Sequence, residues 1–342
     1  MKQYKVGIAG YGVVGKRRHH FINQNANLNV VSVCDVTLQD GRLEREDVKV
    51  YSNFANMISK EDLDILFVCL TNDVAAEATI LGLNKGCHVF CEKPPGRNLK
   101  EVSSVIAAEK SNPRLKLKYG FNHRYHDSVR EAIKIVQSGE YGRIINIRGI
   151  YGKSAIVNVE NGWRANRNIA GGGILLDQGI HMVDLIRLFA GDIDEIKSYI
   201  SNSYWNLEVE DNAFALMKSK SGIIVQFQST ATEWRHRFNL QINLTDGALV
   251  LSGILSGSKS YGQELLTIYR KELESGGNPK METIQYLEDN SWRDEINEFA
   301  EAIKNDQPIV TGSSNDAYQS LKLVYDIYSA DNEWKTKFLN SN

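Results

Sequence analysis

Short apolar runs alternate with helix-like segments along the first 120 residues. The runs are rich in Val, Ile, Phe and Cys and occupy residues 4–10, 29–35, 64–70, 88–92 and 115–121. Two of the intervening helical patterns end at good stop signals, one at Gly86 and the other before Pro113. Near-continuous apolar strands separated by helices predict a parallel sheet that is covered by helices on both faces.

The pattern changes after residue 121. One helix is predicted over 126–142, and two more are predicted near 290–304 and 314–330. Between them, runs that alternate apolar and polar positions predict an open, mainly antiparallel sheet with strands at 143–152, 195–204, 212–220, 222–232 and 237–245. We therefore predict an α/β fold with a doubly wound parallel sheet in residues 1–121 and an α+β domain in residues 122–342.

Composition describes an ordinary globular protein and excludes several classes of partner. The 342 residues are 42% hydrophobic, and 40 Lys and Arg against 42 Asp and Glu give a formal net charge of −2. The one short basic run, residues 16–20, fits a polar helix face, so neither a nucleic-acid partner nor a membrane surface is predicted. The N-terminus enters a strand pattern directly, and no apolar stretch approaches the ~18 residues of a membrane span.

The four cysteines lie in or beside apolar runs. They are Cys34, Cys69, Cys87 and Cys91, and none forms the CxxC spacing of a zinc or redox motif. This pattern is typical of buried free thiols in a reducing compartment, so we expect a cytoplasmic protein.

A glycine-rich turn follows the first strand. Gly10, Gly12 and Gly15 have the spacing G-x-G-x-x-G between a strand and a helix, which is the context that the Rossmann dinucleotide fold requires. The second glycine lets the backbone approach a pyrophosphate, and the amides near Val13 and Val14 are the expected donors at the helix N-terminus.

Asp35 ends the second strand, 20 residues after Gly15. A carboxylate at this place accepts hydrogen bonds from the ribose hydroxyls of the adenosine and repels a 2′-phosphate. The next two residues, Val36 and Thr37, offer no arginine to receive such a phosphate. The sequence therefore predicts NAD rather than NADP as the cofactor.

A Glu92-Lys93-Pro94-Pro95 turn ends the strand at 88–92. The prolines fix the backbone beyond the carboxyl end of a strand, where open parallel sheets bind their ligands. Lys93 held there can donate to a substrate hydroxyl or carry positive charge toward it. On position alone, an ordinary exposed lysine in a proline-capped turn is an equal alternative.

Taken together, these motifs and the segment GGGILLDQGIHMVDL (171–185) resemble the Gfo/Idh/MocA family of NAD(P)-dependent sugar oxidoreductases, over nearly the whole chain. The resemblance implies that Lys93 lies near the nicotinamide and the reacting carbon, with a cis bond between Lys93 and Pro94. It also implies that Asp177 is the motif aspartate and His181 the acid/base histidine.

The resemblance also suggests cofactor contacts at three strand ends. Leu70, Thr71 and Asn72 stand where the family commonly has Thr-Pro-Asn followed by a histidine, and only Asn72 keeps its expected position near the nicotinamide ribose. Glu92 and Lys93 are the next expected contacts. In GFNHRYH (120–126), Asn122 is a candidate for the cofactor and Arg124 for the substrate, with ordinary loop polarity as the alternative.

Oxidation of a secondary alcohol requires a base for the hydroxyl proton, and His181 has the intrinsic proton affinity for that task. Asp177 lies one turn earlier on the same helical face, where it can orient the imidazole or bind a sugar hydroxyl. Lys93 would stabilise the developing alkoxide. A metal set of Asp177, His181 and Asp184 is the less favoured alternative, since no further His or Cys completes a site, and Asp184 is expected to be structural.

Trp163, Arg164 and Arg167 precede the glycine-rich segment. Arginine suits phosphate and tryptophan suits a base or a sugar face, so these residues favour a nucleotide-linked sugar as substrate. A structural cation–aromatic pair is an equally good interpretation. The three glycines Gly171–Gly173 are expected to let the backbone pass close to substrate and cofactor.

The leading hypothesis is an NAD-dependent dehydrogenase of a sugar hydroxyl, with the sugar free or linked to a nucleotide. The alternatives are an inositol-type polyol dehydrogenase and a non-catalytic NAD-binding sugar sensor. We also expect a homodimer or homotetramer, because an open sheet needs a partner for one face. The residues expected on that face are Ile223, Val225, Phe227, Phe238, Leu240 and Ile242.

Overall fold

The computed structural model describes residues 3–43, 47–155, 162–256, 260–274 and 276–339. They form two compact units. The first comprises the chain up to Asn122 together with Asn168–Gly171 and Trp292–Leu321, and the second comprises the rest. The structure therefore differs from the predicted division at 121/122, because a C-terminal segment returns to the first unit.

The described residues contain fifteen strands. In chain order they are β1 (Tyr4–Ala9), β2 (Leu28–Cys34), β3 (Gly41–Arg42), β4 (Lys49–Tyr51), β5 (Ile65–Val68), β6 (His88–Cys91), β7 (Leu117–Tyr119), β8 (Ile144–Gly152), β9 (Ile193–Ser201), β10 (Asn212–Ser219), β11 (Ile224–Thr230), β12 (Arg237–Leu244), β13 (Gly247–Ser252), β14 (Glu264–Arg270) and β15 (Met281–Tyr286).

Ten α-helical segments accompany the strands in the described ranges. They are α1 (Val13–Ile22), α2 (Phe54–Lys60), α3 (Asn72–Lys85), α4 (Leu99–Ser111), α5 (Asp127–Ser138), α6 (Arg167–Ala170), α7 (Ile180–Ala190), α8 (Ser291–Lys304), α9 (Ser314–Ala330) and α10 (Asn332–Trp334). Short 3₁₀ turns lie at Asn122–Tyr125 and Trp163–Ala165, and π-helical turns lie at Leu175–Gly179 and Lys335–Leu339.

The first unit contains a mostly parallel sheet, as predicted. Its seven described strands run in the order β3-β4-β2-β1-β5-β6-β7, and every pair except β3–β4 is parallel. All five predicted strands are present. The short elements β3, β4 and α2 were missed because they are too brief to show an apolar period.

Helix α8 completes the core of this unit. Ile296 and Phe299 are fully buried in the same cluster as the strand residues Phe67 and Phe90. The rings of Phe67 and Phe90 stack at 4.9 Å, and Phe299 meets Phe90 edge-on at 5.6 Å. Burial of an aromatic side chain of this size contributes roughly 1.5–3 kcal/mol. Because α8 begins at Ser291 and the last strand of the sheet ends at Tyr119, the pattern of the first 120 residues cannot reveal this packing.

A buried charge cluster ties α8 to the end of β6. The Arg18 guanidinium is fully buried and donates to Glu92 Oε1 (2.7 Å from Nε) and to Glu295 Oε2 (2.8 Å from Nη2). It also stacks on Trp292 at 4.3 Å. Burial raises the pKa of Glu295 to about 7, against the opposing charges of Arg18 and Lys118.

The second unit contains a mixed, mainly antiparallel sheet, which confirms the predicted class. Its eight described strands run in the order β15-β14-β13-β12-β8-β11-β10-β9. Strands β8 and β11 are parallel neighbours, and the other pairs are antiparallel. The prediction missed β13 to β15. Helix α7 packs on β8, where Gly149 leaves room for Met182: a Cβ on that glycine would lie 2.8 Å from its sulfur.

The residues predicted to form the intersubunit face lie on the buried face of the sheet, not on its exposed face. Val225, Phe227, Phe238, Leu240 and Ile242 are all at most 2% exposed within the chain itself, and only Ile223 is half-buried. Successive strand residues point to opposite faces, so the alternation identified a buried face without telling which element covers it. The exposed large apolar residues on the sheet are Ile145, Tyr199, Phe214, Leu216 and Ile224.

One helical stretch, Arg167–Ala190, has the length and mean hydropathy (1.2) of a membrane-crossing segment. Of that apolar window, 78% is buried inside the protein. Burial inside the protein accounts for its apolar composition, as in other helices that are buried in a core.

The Glu295 carboxyl gives a stability prediction. A glutamate in the unfolded chain titrates near about 4.3, so with a pKa of about 7 the folded state binds more protons between these values. The wild type then loses stability as pH rises through that window. A glutamine does not titrate and therefore has no such loss. As pH rises from about 5 to about 8, the free energy of unfolding of Glu295→Gln should increase relative to that of the wild type by on the order of 1–3 kcal/mol.

Urea unfolding at several pH values measures this difference. Glu298→Gln is the matched control, because it makes the same change one turn later on α8 at a side chain that is 43% exposed. A Glu295→Gln variant whose stability stays parallel to wild type across this range would contradict the buried, proton-binding carboxyl.

Candidate active site

The glycine turn between β1 and α1 leaves open space for a dinucleotide. Gly10 has φ +90°, and a Cβ on Gly15 would lie 2.0 Å from the Gly10 carbonyl oxygen, so the turn and the close helix packing both require glycine. A Cβ on Gly12 would meet nothing within 4 Å. Gly12 is also the N-cap of α1, whose first turn carries no acid. The unpaired amides of this helix N-terminus therefore fit a pyrophosphate.

Asp35 lies directly after β2, where the sequence predicts the ribose contact. Its Oδ2 accepts a hydrogen bond from the Tyr11 amide (2.9 Å), and Oδ1 accepts from the amide (3.0 Å) and hydroxyl (2.7 Å) of Thr37. Partial burial opposes ionisation, but these hydrogen bonds outweigh it and lower the pKa of Asp35. The carboxylate is thus a fixed negative charge beside the glycine turn.

The residues after β5 are arranged around the start of α3. Leu70 and Thr71 are half-buried, and Thr71 is the N-cap of the helix. Asn72 is 5% exposed, and its side-chain nitrogen donates to the carbonyl oxygen of Ala170 (2.7 Å). The amide expected near the cofactor therefore also holds the backbone just before the three glycines.

The Glu-Lys-Pro turn lies at the carboxyl end of β6. The peptide bond between Lys93 and Pro94 is cis, as the resemblance implied. Lys93 is half-buried. The Glu92 carboxylate is bound to Arg18 in the buried charge cluster described above, so its side chain is directed to the protein interior. The cofactor contact of Glu92 stays a prediction. Asn122, the other predicted contact, is buried just beyond β7.

The three glycines that precede the helix are required by the protein's own packing. Gly171 has φ +81°, and a Cβ there would lie 2.7 Å from the Arg97 backbone. A Cβ on Gly172 would lie 2.5 Å from the Tyr328 hydroxyl, and one on Gly173 would lie 2.1 Å from the Glu210 carbonyl oxygen. Substrate and cofactor are not needed to explain these glycines.

A buried carboxylate caps the helix that follows. Glu210 is 1% exposed and accepts hydrogen bonds from the amides of Gly173 (2.7 Å) and Leu175 (3.0 Å) and from the Tyr328 hydroxyl (2.6 Å). Burial raises the pKa of Glu210 while these donors oppose the rise. A carboxyl at a helix N-terminus satisfies amides that have no partner within the helix. The carboxyl fixes where the π turn Leu175–Gly179 and α7 begin.

Three predicted substrate residues are brought together in the second unit. Asp177, in the π turn, lies 3.3 Å from Arg164 (Oδ2 to Nε), and the Arg164 guanidinium stacks on Trp163 at 4.3 Å. Asp177 is 14% exposed and Arg164 is 27% exposed. Arg167 is separate, because it stacks on Phe338 at 5.0 Å.

His181, in the first turn of α7, is 4% exposed. Its ring stacks on that of His123, with 3.7 Å between centroids and 17° between planes. Nε2 of His123 is 3.1 Å from the Tyr151 hydroxyl, and the Tyr151 ring meets Tyr261 at 5.3 Å. Burial raises the pKa of Tyr151 and of Tyr261, with a smaller contribution from the negative charge of Asp177.

Arg124, the predicted substrate contact, is paired with a buried carboxylate. It is 9% exposed and donates through Nε and Nη2 to both oxygens of Asp184, each at 2.7 Å. Such a buried bidentate pair occupies the guanidinium fork. This pair supports the structural role expected for Asp184. No cluster of three His, Cys, Asp or Glu side chains with the arrangement of a metal site occurs among the described residues.

A cavity of about 360 Å³ is lined in part by Tyr261, whose ring contacts that of Tyr151. Its walls combine ring faces with polar side chains, among them Glu233, Arg237, Asn239, Ser252 and Tyr261. Sugars are bound by this combination, since ring faces cover their apolar side and polar groups hydrogen-bond their hydroxyls.

The sequence analysis missed His123, Tyr151 and Glu210. His123 stands between two residues that were proposed from the GFNHRYH segment, so the segment was identified but the residue was not. Tyr151 and Glu210 belong to a strand and a loop with no motif of their own. Their roles depend on contacts across 28 residues or more of sequence, which no local spacing shows.

Comparison with known proteins confirms the resemblance. Residues 4–121 match the family model described as an oxidoreductase family with an NAD-binding Rossmann fold. Residues 129–250 match the model of the Gfo/Idh/MocA C-terminal domain. The two matches together cover well over half of the sequence.

Individual relatives are distant. The chain is 28% identical to the 1,5-anhydro-D-fructose reductase of Ensifer adhaerens over 61% of this chain and 62% of the reductase. It is 25% identical to the inositol 2-dehydrogenase of Salmonella typhimurium over 64% of this chain and 65% of that enzyme. Both alignments thus span less than two thirds of the relative's own length.

The fold likeness extends along the whole chain. A levoglucosan dehydrogenase in complex with NADH and L-sorbose has a TM-score of 0.85 at 20% identity, over 98% of each chain. An identity this low supports a shared fold and no more. Together with the two family matches, it establishes that the chain belongs to the Gfo/Idh/MocA family and carries that family's NAD-binding Rossmann fold in its first unit.

Proposed function

We propose that the protein is an NAD-dependent oxidoreductase that transfers hydride between a secondary hydroxyl of a sugar or polyol and the nicotinamide. The observation that carries the proposal is the position of Asp177 and His181, which lie one turn apart on one helical stretch. The start of this stretch is capped by a carboxylate, and His181 is buried within a cluster of ionisable rings. A domain that only bound NAD would need neither side chain.

The bound cofactor would accept the hydride, and the chain's own residues would manage the proton and the alcohol. His181 takes the hydroxyl proton as general base and returns it in the reverse direction. Asp177, held by Arg164, binds a neighbouring hydroxyl of the sugar. Lys93 contributes positive charge that favours the alkoxide over the alcohol.

NAD is the proposed cofactor in preference to NADP. The Asp35 carboxylate is ionised, since its hydrogen bonds lower its pKa, and its place beside the glycine turn would set it against a 2′-phosphate. The following residue, Val36, is 86% exposed and offers no positive charge.

Within this function, a free sugar or polyol is favoured over a nucleotide-linked sugar. The nucleotide hypothesis relied on Arg164 and Arg167 to receive a diphosphate. Arg164 is paired with Asp177, which compensates its charge, and Arg167 stacks on Phe338. The two relatives described above are named for small sugars or polyols, which also supports the free substrate.

A cytoplasmic location stays part of the proposal. It is supported by the cysteines, all four of which lie in the described ranges as free thiols. In an oxidising compartment unpaired thiols of this number would be unusual.

A homo-oligomer also stays part of the proposal, but on the opposite sheet face from the predicted one. Phe214 is 44% exposed, Leu216 56% and Tyr199 80%, on neighbouring strands β10 and β9. Polar residues such as Arg148 and Gln226 share this face and bond to each other at 3.0 Å. Apolar residues surrounded by polar ones are typical of a protein–protein interface.

The catalytic proposal predicts that His181→Asn removes turnover and keeps cofactor binding. Loss of a general base costs about 10²–10⁴-fold in rate, so kcat/KM for sugar oxidation should fall in that range while the Kd for NADH stays within about twofold. NADH formation and fluorescence titration measure the two quantities. His88→Asn in the first unit is the control for removing an imidazole, and equal activity of the two variants would refute the role of His181.

The cofactor proposal predicts that Asp35→Ala weakens NADH binding by roughly 10–100-fold, because a charge-assisted hydrogen bond contributes about 1.5–3 kcal/mol. The preference for NADH over NADPH should shrink at the same time. Asp40→Ala is the control, since Asp40 is an exposed acid nearby in sequence that accepts from the Ser52 amide. A wild-type protein that binds NADPH more tightly than NADH would contradict the assignment.

The oligomer proposal predicts that Leu216→Glu dissociates the protein into single chains, because it places a charge in an apolar contact. Sedimentation velocity measures the change. Leu273→Glu is the control, because Leu273 is 89% exposed in the turn between β14 and β15. The proposal fails if the wild type already sediments as a single chain.

A further inference from the structure

The 3₁₀ turn Asn122–Tyr125 and the next residue hold buried groups of the second unit. His123 stacks on His181, Arg124 binds Asp184, and His126 Nδ1 lies 2.7 Å from Glu264 Oε2. His181 and Asp184 are three residues apart on α7 and therefore neighbours on one face of it. Two consecutive side chains of the turn thus hold two neighbouring side chains of the helix.

Contacts beyond the turn fix the ring of His123 itself. Its Nε2 is 3.1 Å from the Tyr151 hydroxyl, and its ring meets that of His126 edge-on at 5.5 Å and that of Phe238 at 6.0 Å. His123 is 7% exposed and Tyr151 is 4% exposed. The ring against which His181 stacks is therefore held from several sides.

We propose that His123 is a positioning residue for the reaction: its imidazole, held by Tyr151, fixes the plane of the His181 ring. Only one of the two stacked rings is protonated at a time. This rests on the proposed function, in which His181 is the base. His123 itself contacts no reacting atom in the proposal and acts through His181 alone.

The single proton follows from the charges around the pair. Two imidazolium rings stacked at 3.7 Å in a buried place would repel strongly. Two of the neighbouring acids are paired with guanidinium groups, because Asp184 is bound to Arg124 and Asp177 to Arg164. The negative charge of these two acids is therefore compensated, which limits their support for a second imidazolium.

Tyr151 holds His123 through its hydroxyl. Burial raises the pKa of Tyr151, so its hydroxyl stays protonated, and it lies 3.1 Å from Nε2 of His123. In the proposal, His123 stays neutral while His181 accepts the proton of the substrate. Its motion is limited by the stack, so the accepting nitrogen keeps its direction between turnovers.

The test compares His123→Ala with His123→Phe in the full-length protein. Alanine removes the ring, whereas phenylalanine keeps a flat ring that cannot take a proton. We expect His123→Ala to lower kcat by about 10–100-fold with KM within about threefold, as loss of geometry rather than of binding predicts. His123→Phe should recover most of that kcat. Thermal unfolding and NADH titration of both variants report on folding.

NMR of imidazole-labelled protein gives a readout that is independent of activity. The His181 ring protons should be shifted upfield by the stacked ring in wild type and in His123→Phe, and the shift should disappear in His123→Ala. On titration, His181 should change in two coupled steps in wild type and in one step in His123→Phe.

Three results would overturn the proposal. They are an unchanged kcat in His123→Ala, an equal loss of kcat in both variants, and a single-step titration of His181 in wild type. A wild type that oxidises no sugar would instead defeat the proposed function, while the NMR comparison would still decide whether the two rings are stacked and share one proton. If His123→Ala does not fold, Tyr151→Phe, which removes only the hydroxyl, should release His123 and reduce the upfield shift of His181; an unchanged spectrum would overturn the proposal.

Discussion

The geometry of the second unit's site depends on the buried carboxyl of Glu210. It binds the amides of Gly173 and Leu175 and the hydroxyl of Tyr328, and so decides where the helix that carries Asp177 and His181 begins. A buried carboxyl is tolerated only with such partners, and loss of one partner of a buried group commonly costs about 1–3 kcal/mol. The glycines before the helix follow from this constraint, because a side chain on Gly173 would occupy the space that the Glu210 backbone fills.

A second buried charge system organises the first unit in the same way. Arg18 of α1 binds Glu92, next to Lys93, and Glu295 of α8. The helix that begins at the glycine turn, the strand that ends at the lysine and the returning C-terminal helix are thereby joined through one guanidinium. In both units a charge inside the protein, rather than a surface contact, sets the direction of the functional backbone.

The sequence predicts local features well and distant contacts poorly. The five parallel strands, the glycine turn and Asp35 are recognisable because each is determined by neighbours within a few residues. The cis bond before Pro94 is implied by the family resemblance and is present in the structure. The apolar residues predicted for an intersubunit contact lie on the buried face of the second sheet. Alternation of apolar and polar residues marks a buried face but does not show what covers it. The pair of Arg124 with Asp184 is not visible in the sequence, because the two residues are 60 positions apart. His123 and Glu210 were missed for the same reason.

The central claim is that the chain oxidises a sugar or polyol hydroxyl with NAD. The most direct measurement is NADH formation by the purified wild-type protein with NAD and a panel of inositols, anhydrosugars, free hexoses and UDP-sugars. The account predicts NADH formation with at least one free sugar or polyol, and a slower reaction or none with the UDP-sugars. Tight NADH binding without turnover of any member of the panel would contradict it and would favour a protein that binds the cofactor as a sensor.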